Sequence, residues 1–217
     1  MKKRVAALLM ALVMLVGLLP SAVWAEVAVT PVSTAAELAA LGGKQISGSY
    51  KLTADIDMTG QTMQPIKKFS SGTFDGQGHT VSGLSITGSA TSNTGLFGYV
   101  DSATIENVTV QGSISLTGNG SSSYGAGGIA GQLYGQTGAI RNCRSDVTVH
   151  GGQNVGGIVG YVAGGYSSAA KEITGCVNTG SITAPSTCAA GIVSNLPNGC
   201  KVTACYNTGT IKAGGNY

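Results

Sequence analysis

Charged and aromatic residues are scarce in this 217-residue sequence, at 10% and 6%. Roughly a quarter of an average soluble sequence is charged, and helical bundles need many Ala, Leu, Glu and Lys residues, so the composition argues against an ordinary helical enzyme. Charge-driven disorder is excluded, because 42% of the residues are hydrophobic and the formal net charge is only +3. Glycine, by contrast, is abundant at 35 residues. This composition predicts many short strands joined by tight turns.

The first residues are typical of a secretory signal peptide. A basic start from Met1 to Arg4 precedes fifteen apolar or small residues from Val5 to Leu19, and small residues lead to Ala25. A membrane anchor would need about 20 apolar residues, so we expect cleavage after Ala25 and no membrane insertion afterwards. The product is predicted to be secreted or held at the cell surface.

Removing this leader changes the charge balance. Lys2, Lys3 and Arg4 are three of the twelve basic residues, and without them nine basic residues face nine acidic ones. A neutral protein has no net field to attract anionic polymers or membranes. We therefore expect no nucleic-acid partner, and recognition by contact.

Two motifs recur along the rest of the chain. The first begins at Gly95, Gly128, Gly157 and Gly191, at spacings of 33, 29 and 34 residues. The second is led by an aliphatic residue and begins at Ile105, Ile140, Ile173 and Val202. The two series alternate in step, and a third short run follows each pair. Each unit therefore holds about three strands, with no room for a crossover helix.

This repeat predicts an all-β fold, a right-handed parallel β-helix (solenoid) of about five coils. Inward residues of successive coils should stack, so the aliphatic residues that lead the second motif should form one buried column. Asn107, Asn142 and Gly175 occupy equivalent positions and tolerate a left-handed backbone, which predicts a sharp corner there. Ala204 breaks this rule, and we expect strain at its corner.

Residues 26–49 are predicted to form a cap segment before the solenoid, which occupies residues 50–217. Thr34 and Glu37 predict a capping box for a short helix that ends at Gly42 and covers the first coil. At the other end, Ile211 to Tyr217 matches the point at which an earlier unit continues into its glycine motif. We therefore expect a longer protein or a truncated frame, with an uncapped final coil that self-associates end to end.

The Gly95-Leu96-Phe97-Gly98 pattern and its repeats resemble the GLUG motif of bacterial surface proteins. Members of that family also resemble this chain in the segments Tyr50 to Met58 and Phe74 to His79. The resemblance implies an adhesin-like scaffold, since such units occur in large surface proteins and beside the peptidase domain of immunoglobulin A peptidases. No His-Glu-x-x-His motif is present, so peptidase activity is not implied.

Few residues are candidates for chemistry. Asp55 and Asp57 share a strand face and could form a carboxylate pair for catalysis or an ion, although a structural turn or cap role is the preferred interpretation. Asp75 and His79 could form an acid/base pair, but the glycines between them favour a tight turn. His150 is expected on a surface loop.

The remaining polar candidates lie along the coils. Glu106 and Arg141 should form a surface ion pair one coil apart, and Arg141 with Arg144 makes the only basic cluster near the coils. Tyrosines could bind glycans, and Tyr99 and Tyr161 are equivalent by the repeat; stacking in the coils explains that equivalence equally well. The tyrosines considered are Tyr99, Tyr134, Tyr161, Tyr166 and Tyr206.

Five cysteines cannot all pair within one chain. Cys143, Cys176 and Cys205 align with Val108, which predicts a buried apolar column. Cys188 and Cys200 lie outside the column, in predicted loops, and are the best candidates for a disulfide.

Two functions remain open from the sequence. The first is a secreted or cell-surface, non-enzymatic scaffold or adhesion module that contacts a host or microbial surface protein or glycan. The second is a carbohydrate-active enzyme fragment or glycan-binding module. We assign no catalytic, cofactor-binding or metal-binding residues and expect no enzymatic activity.

Overall fold

The computed structural model describes residues 28–118, 124–163, 171–185, 188–197 and 199–214. In these residues the chain winds into a parallel β-solenoid, because every pairing between named strands is parallel and joins successive turns. The all-β solenoid fold is therefore confirmed. The predicted signal peptide over residues 1–25, Tyr166 and Tyr217 lie outside the described residues.

The N-terminal part contributes an edge strand, one short helix and an irregular first turn. Its elements are β1 (Val29–Val32), α1 (Ala35–Ala39), β2 (Gln45–Ile46), β3 (Ser49–Leu52) and β4 (Ile56–Asp57). The capping box is confirmed: the Glu37 amide donates to Thr34 Oγ1 at 3.2 Å, and the Thr34 amide donates to the Glu37 carboxylate at 3.1 Å. α1 buries Leu38 completely in the shared core, so this helix covers core beside the first turn.

The solenoid then becomes regular. One turn precedes the glycine motif and comprises β5 (Ile66–Ser70), β6 (Thr73–Asp75) and β7 (Thr80–Ser89). The first two of about four repeat turns comprise β8 (Phe97–Asp101), β9 (Thr104–Glu106), β10 (Thr109–Thr117), β11 (Gly125–Gly127), β12 (Ala130–Tyr134), β13 (Gly138–Arg141) and β14 (Arg144–His150).

The last two repeat turns have shorter strands. They comprise β15 (Asn154–Gly156), β16 (Val159–Val162), β17 (Lys171–Thr174), β18 (Val177–Asn178), β19 (Ile182–Ala184), β20 (Cys188–Ala190), β21 (Val193–Asn195), β22 (Cys200–Thr203), β23 (Tyr206–Asn207) and β24 (Ile211–Ala213).

Three long sheets form the sides of the solenoid. Sheet A has seven strands in the order β1-β3-β6-β9-β13-β17-β22, and sheet B has six in the order β2-β5-β8-β12-β16-β21. Sheet C has eight strands, with β4, β7, β10, β14, β18 and β23 in one path and β19 and β24 beside it. A fourth, three-stranded sheet D, β11-β15-β20, was not predicted: later repeats contain a short additional strand before the sheet B strand.

The column predicted on sheet A is confirmed, and it is buried except at its two ends, where Tyr50 and Val202 are half-buried. Its strands align in register so that the aliphatic residues stack, and the first turns extend the column with aromatic rings. The members are Tyr50, Phe74, Ile105, Ile140, Ile173 and Val202. The Phe74 ring also meets Phe97 of sheet B edge to face, with centroids 5.1 Å apart, so aromatic packing joins the two sheets in the core.

The corner between sheets A and C is left-handed, as predicted. Asn107, Asn142 and Gly175 have φ angles of 54°, 51° and 63°. Ala204 adopts the same conformation, with φ 52°, although its side chain disfavours it. Asn142 Nδ2 donates to Asn107 Oδ1 at 3.4 Å, so the amide side chains also form a ladder along this corner.

The first glycine of the repeated motif makes room for a polar column inside the solenoid. A Cβ atom on Gly128 would lie 2.0 Å from Ser145 Oγ, and one on Gly157 would lie 2.3 Å from Asn178 Cγ. Ser145 and Asn178 are register partners. Ser145 Oγ is buried without a hydrogen-bond partner, whereas the Asn178 side chain hydrogen-bonds the chain at Gly180. These glycines therefore have a packing role.

Candidate functional site

A stripe of polar and aromatic residues runs along the outer surface of sheet B. The parallel register places these residues side by side on successive turns, while their neighbours point into the core. We call this set the polar stripe: Gln45, Lys68, Tyr99, Gln132, Tyr161 and Asn195. The equivalence of Tyr99 and Tyr161 is confirmed, with Gln132 between them.

Part of the stripe borders a groove of about 430 Å³. Its walls contain three tyrosines, two lysines and two glutamines: Gln45, Lys67, Lys68, Tyr99, Tyr124, Gln132 and Tyr134. Tyr134 is 49% exposed, so its ring is open to solvent. Tyr99 and Tyr134 were candidates from the sequence, whereas Tyr124, the two glutamines and the two lysines were not. The lysines were missed because β5 precedes the glycine motif that defined the repeat.

Hydrogen bonds hold one wall of the groove in place. Gln132 is 6% exposed, and its Oε1 accepts from Asn93 Nδ2 at 2.6 Å. Asn93 Oδ1 in turn accepts from the Gly125 amide at 2.7 Å, and Asn154 Nδ2 donates to the Tyr124 carbonyl at 3.0 Å. Since the Gln132 oxygen is occupied, its amide nitrogen is the group that can donate to a ligand.

The groove contains one uncompensated positive charge. Lys68 Nζ lies 2.7 Å from Asp101 Oδ2 and is thereby neutralised. Lys67 is exposed and takes part in none of the ion pairs within the described part of the chain. The electrostatics therefore favour a ligand with a single negative charge.

Asp55 and Asp57 have separate structural contacts. Asp55 Oδ1 accepts from the Thr80 amide at 2.9 Å and lies 3.1 Å from His79 Nδ1. Asp57 Oδ1 accepts from the Thr59 amide at 2.9 Å. The bond from Thr80 and the neighbouring His79 lower the pKa of Asp55 below its usual value, and hydrogen bonds from the Thr59 side chain and amide lower the pKa of Asp57. The preferred turn and cap roles are therefore supported.

Asp75 and His79 do not form the acid/base pair that was considered. Asp75 Oδ1 accepts from the Gln77 amide at 2.9 Å and from Asn107 Nδ2 at 3.0 Å, while His79 faces Asp55. Burial raises the pKa of Asp75, but the hydrogen bonds from Asn107 and Gln77 outweigh it and leave the pKa lowered. The tight-turn interpretation agrees with this geometry. His150 is exposed as expected, but it ends strand β14 and is not in a loop.

The predicted ion pair between Glu106 and Arg141 is wrong, because Arg141 has a different partner. The two residues are register neighbours, yet Arg141 binds Glu172 of the following turn, with Nη2 3.0 Å from Oε2. Arg144 Nη2 donates to Thr179 Oγ1 at 3.2 Å. The two arginines of the basic cluster therefore contact different neighbours on the next turn.

The cysteine column is confirmed. Cys143 and Cys176 are buried and Cys205 is half-buried, and each thiol lies near the carbonyl two residues before it. The neighbouring Cys176 thiol and burial hold the pKa of Cys143 well above its usual range. The disulfide considered for Cys188 and Cys200 is not formed: both are free, and they lie in strands of sheets D and A, not in loops.

Within the described part of the chain, no group of three or more His, Cys, Asp or Glu side chains is arranged to hold a metal ion. The described residues also include no helix that is long and apolar enough to span a membrane. Tyr206, on sheet C, is 57% exposed and lies away from the polar stripe.

Comparisons with known proteins agree with this architecture. Residues 122–149 match the model of the GLUG motif. In an alignment of 149 positions that covers 61% of the chain, the sequence is 36% identical to halomucin of Haloquadratum walsbyi. The chain spans only 2% of that protein. The fold is shared with the crystal structure of a Bacteroides ovatus protein that is provisionally assigned as an immunoglobulin A1 protease. The TM-score is 0.53 and the sequence identity 18%, over 85% of this chain and 73% of that one. The chain therefore carries the GLUG motif that its repeats predicted, on a parallel β-solenoid.

Proposed function

We propose that this chain is a secreted or cell-surface, non-enzymatic module that adheres to a surface protein or glycan through the polar stripe. The observation that carries the proposal is the register of the stripe, which aligns amide, ammonium and phenol side chains on one face of sheet B, with only Gln132 of the six buried. Tyrosine offers a rigid, amphipathic contact surface at low entropic cost, which suits adhesion by many small contacts.

The acidic residues also favour binding over catalysis. Glycoside hydrolysis needs two carboxyl groups across one site. Asp55, Asp57 and Asp75 instead accept hydrogen bonds that fix turns, and Asp101 and Glu172 bind basic side chains. A carbohydrate-active enzyme is therefore supported less well than a binding module.

The adhesion proposal is tested with fluorescently labelled protein on microbial and epithelial cells and on immobilised surface glycoproteins. We expect saturable binding that weakens in Tyr161→Ser, because Tyr161 lies in the stripe. Tyr206→Ser is the matched control and should bind as the unmodified protein does. Absence of saturable binding, or equal losses in the two variants, would contradict the proposal.

The non-enzymatic part of the proposal has its own test. The protein is incubated with neutral and acidic polysaccharides, and new reducing ends and unsaturated products are measured. We expect no cleavage above a buffer control. Cleavage that co-purifies with the protein and disappears on its removal would overturn this part.

A further inference from the structure

We propose that the groove between Lys67 and Tyr134 binds a carboxylate-bearing sugar unit of a glycan. This inference rests on the adhesion function proposed above and names the chemistry of its ligand. The groove volume of about 430 Å³ lies in the range of small-molecule sites, roughly 300–1,000 Å³. A sugar ring with its substituents therefore matches the groove better than an extended protein surface does.

The aromatic lining supplies the first element of recognition. Tyr99, Tyr124 and Tyr134 bring three phenol rings to one groove from two neighbouring turns of the solenoid. A pyranose ring has an apolar face of C–H groups and a rim of hydroxyls. A phenol ring can pack against that face while its own hydroxyl group remains available for hydrogen bonding.

The charge of the groove selects an acidic sugar. Lys67 provides an ammonium group without an ion-pair partner in the described part of the chain, whereas Lys68 is neutralised by Asp101 at 2.7 Å. A single ammonium matches the single negative charge of a uronate or sialic acid carboxylate. A doubly charged phosphate would leave one charge uncompensated in this groove.

The amide wall supplies donors that are already positioned. Gln132 is 6% exposed and fixed by Asn93 at 2.6 Å, and that bond leaves its nitrogen to donate to a sugar hydroxyl or carboxylate. Ordering a side chain at a binding site costs free energy, so a residue already fixed in the free protein binds at lower cost.

The test is isothermal titration of the full chain with two matched oligosaccharides. One alternates N-acetylglucosamine and glucuronic acid, and the other is its carboxyl-reduced form, which keeps the rings and loses the charge. We expect the acidic form to bind about tenfold more tightly, in keeping with one charge-assisted bond. A sialylated trisaccharide and its unsialylated parent form a second pair of probes that identifies the source of the carboxylate.

Variants assign the roles of the two side chains. Tyr134→Ala should lower the affinity for the glucuronic acid oligosaccharide and for its carboxyl-reduced form, each roughly tenfold. Lys67→Gln should remove the preference for the acidic form. Tyr206→Ala and Lys212→Gln change the same residue types on sheet C and should leave affinity unchanged. Circular dichroism spectra matching the unmodified protein establish that each variant is folded.

Preference for either acidic member of a pair, lost in Lys67→Gln, supports the assignment. Equal affinity for the members of both pairs, no binding to any probe, or an equal loss in Tyr206→Ala overturns it. Cell binding without binding to any saccharide probe contradicts the ligand proposed for the groove and leaves the adhesion function standing. Saccharide binding without cell binding contradicts the adhesion function and leaves the groove assignment standing.

Discussion

At the scale of single residues, the residue type at each left-handed corner between sheets A and C affects the stability of the protein. Three of its four equivalent positions hold Asn or Gly, and the fourth holds Ala204 at φ 52°. For residues other than Gly, Asn and Asp, this left-handed conformation is less stable by roughly 1–2 kcal/mol. The sequence alone identified this position, because Ala204 breaks an otherwise consistent column.

We predict that Ala204→Gly stabilises the protein by about 0.5–1 kcal/mol, because relief of the backbone strain exceeds the entropic cost of glycine. Ala213→Gly is the matched control on strand β24 and should destabilise by about 0.5–1 kcal/mol. Urea unfolding measures both changes. A destabilised Ala204→Gly protein would contradict the strain.

The hydrogen-bonded carboxylates predict sensitivity to acid. Bonds from Ser33 and Thr34 lower the pKa of Glu37, a bond from Thr80 and the neighbouring His79 lower that of Asp55, and bonds from Thr59 lower that of Asp57. Because each folded-state pKa lies below its unfolded value of about 4, the stabilisation is present above that value and is lost as the pH falls through the folded values.

The midpoint temperature of thermal unfolding should therefore decrease as the pH is lowered from 5 to about 2. Asp57→Asn should reduce this dependence, whereas Asp146→Asn on β14 should retain it. A midpoint independent of pH in the unmodified protein would show that these carboxylates are not linked to folding.

The thiols make a third prediction at this scale. All five cysteines are free, and Cys188 is exposed while Cys143 and Cys176 are buried. Without reductant, iodoacetamide should modify Cys188 first in the native protein and all five thiols after denaturation, as counted by mass spectrometry. Two missing additions in the denatured sample would instead indicate a disulfide.

At the scale of elements, the glycine motif sets how closely strands approach. A Cβ on Gly128 would lie 2.0 Å from Ser145 Oγ and 2.7 Å from the Gly157 carbonyl oxygen. Gly128→Ala should destabilise the protein by about 1–3 kcal/mol through overpacking. Gly88→Ala is the control, since its added Cβ would meet only Leu116 Cδ2 at 4.0 Å and should change stability little.

Urea denaturation monitored by circular dichroism provides the comparison of these two alanine variants. An equal effect at the two positions would contradict the packing role of the motif glycine.

The elements differ in how well the sequence predicted them. The columns of sheet A were predictable because aliphatic residues recur at a fixed period. Sheet D was not, since β11 has the sequence Gly-Ala-Gly, without the alternation that signals a strand. The Arg141 ion pair also differed, because a long side chain reaches Glu172 diagonally and register alone does not choose between neighbours.

At the scale of the whole molecule, the fold was predictable and the candidate site only in part. Core residues repeat because identical coils must stack, whereas outward residues are free to vary. Lys67 and Lys68 lie in a turn before the glycine motif, and Tyr124 enters the groove from the loop before β11. Their proximity depends on how three turns stack, which no local pattern records.

Adhesion through the polar stripe is tested most directly by covalent footprinting of tyrosines on the labelled protein, with and without a bound cell surface. We predict that Tyr161 of the polar stripe and Tyr134 of the adjoining groove become protected from modification while Tyr206 on sheet C reacts unchanged. Protection of Tyr206 without protection of Tyr134 and Tyr161 would contradict the proposed binding face.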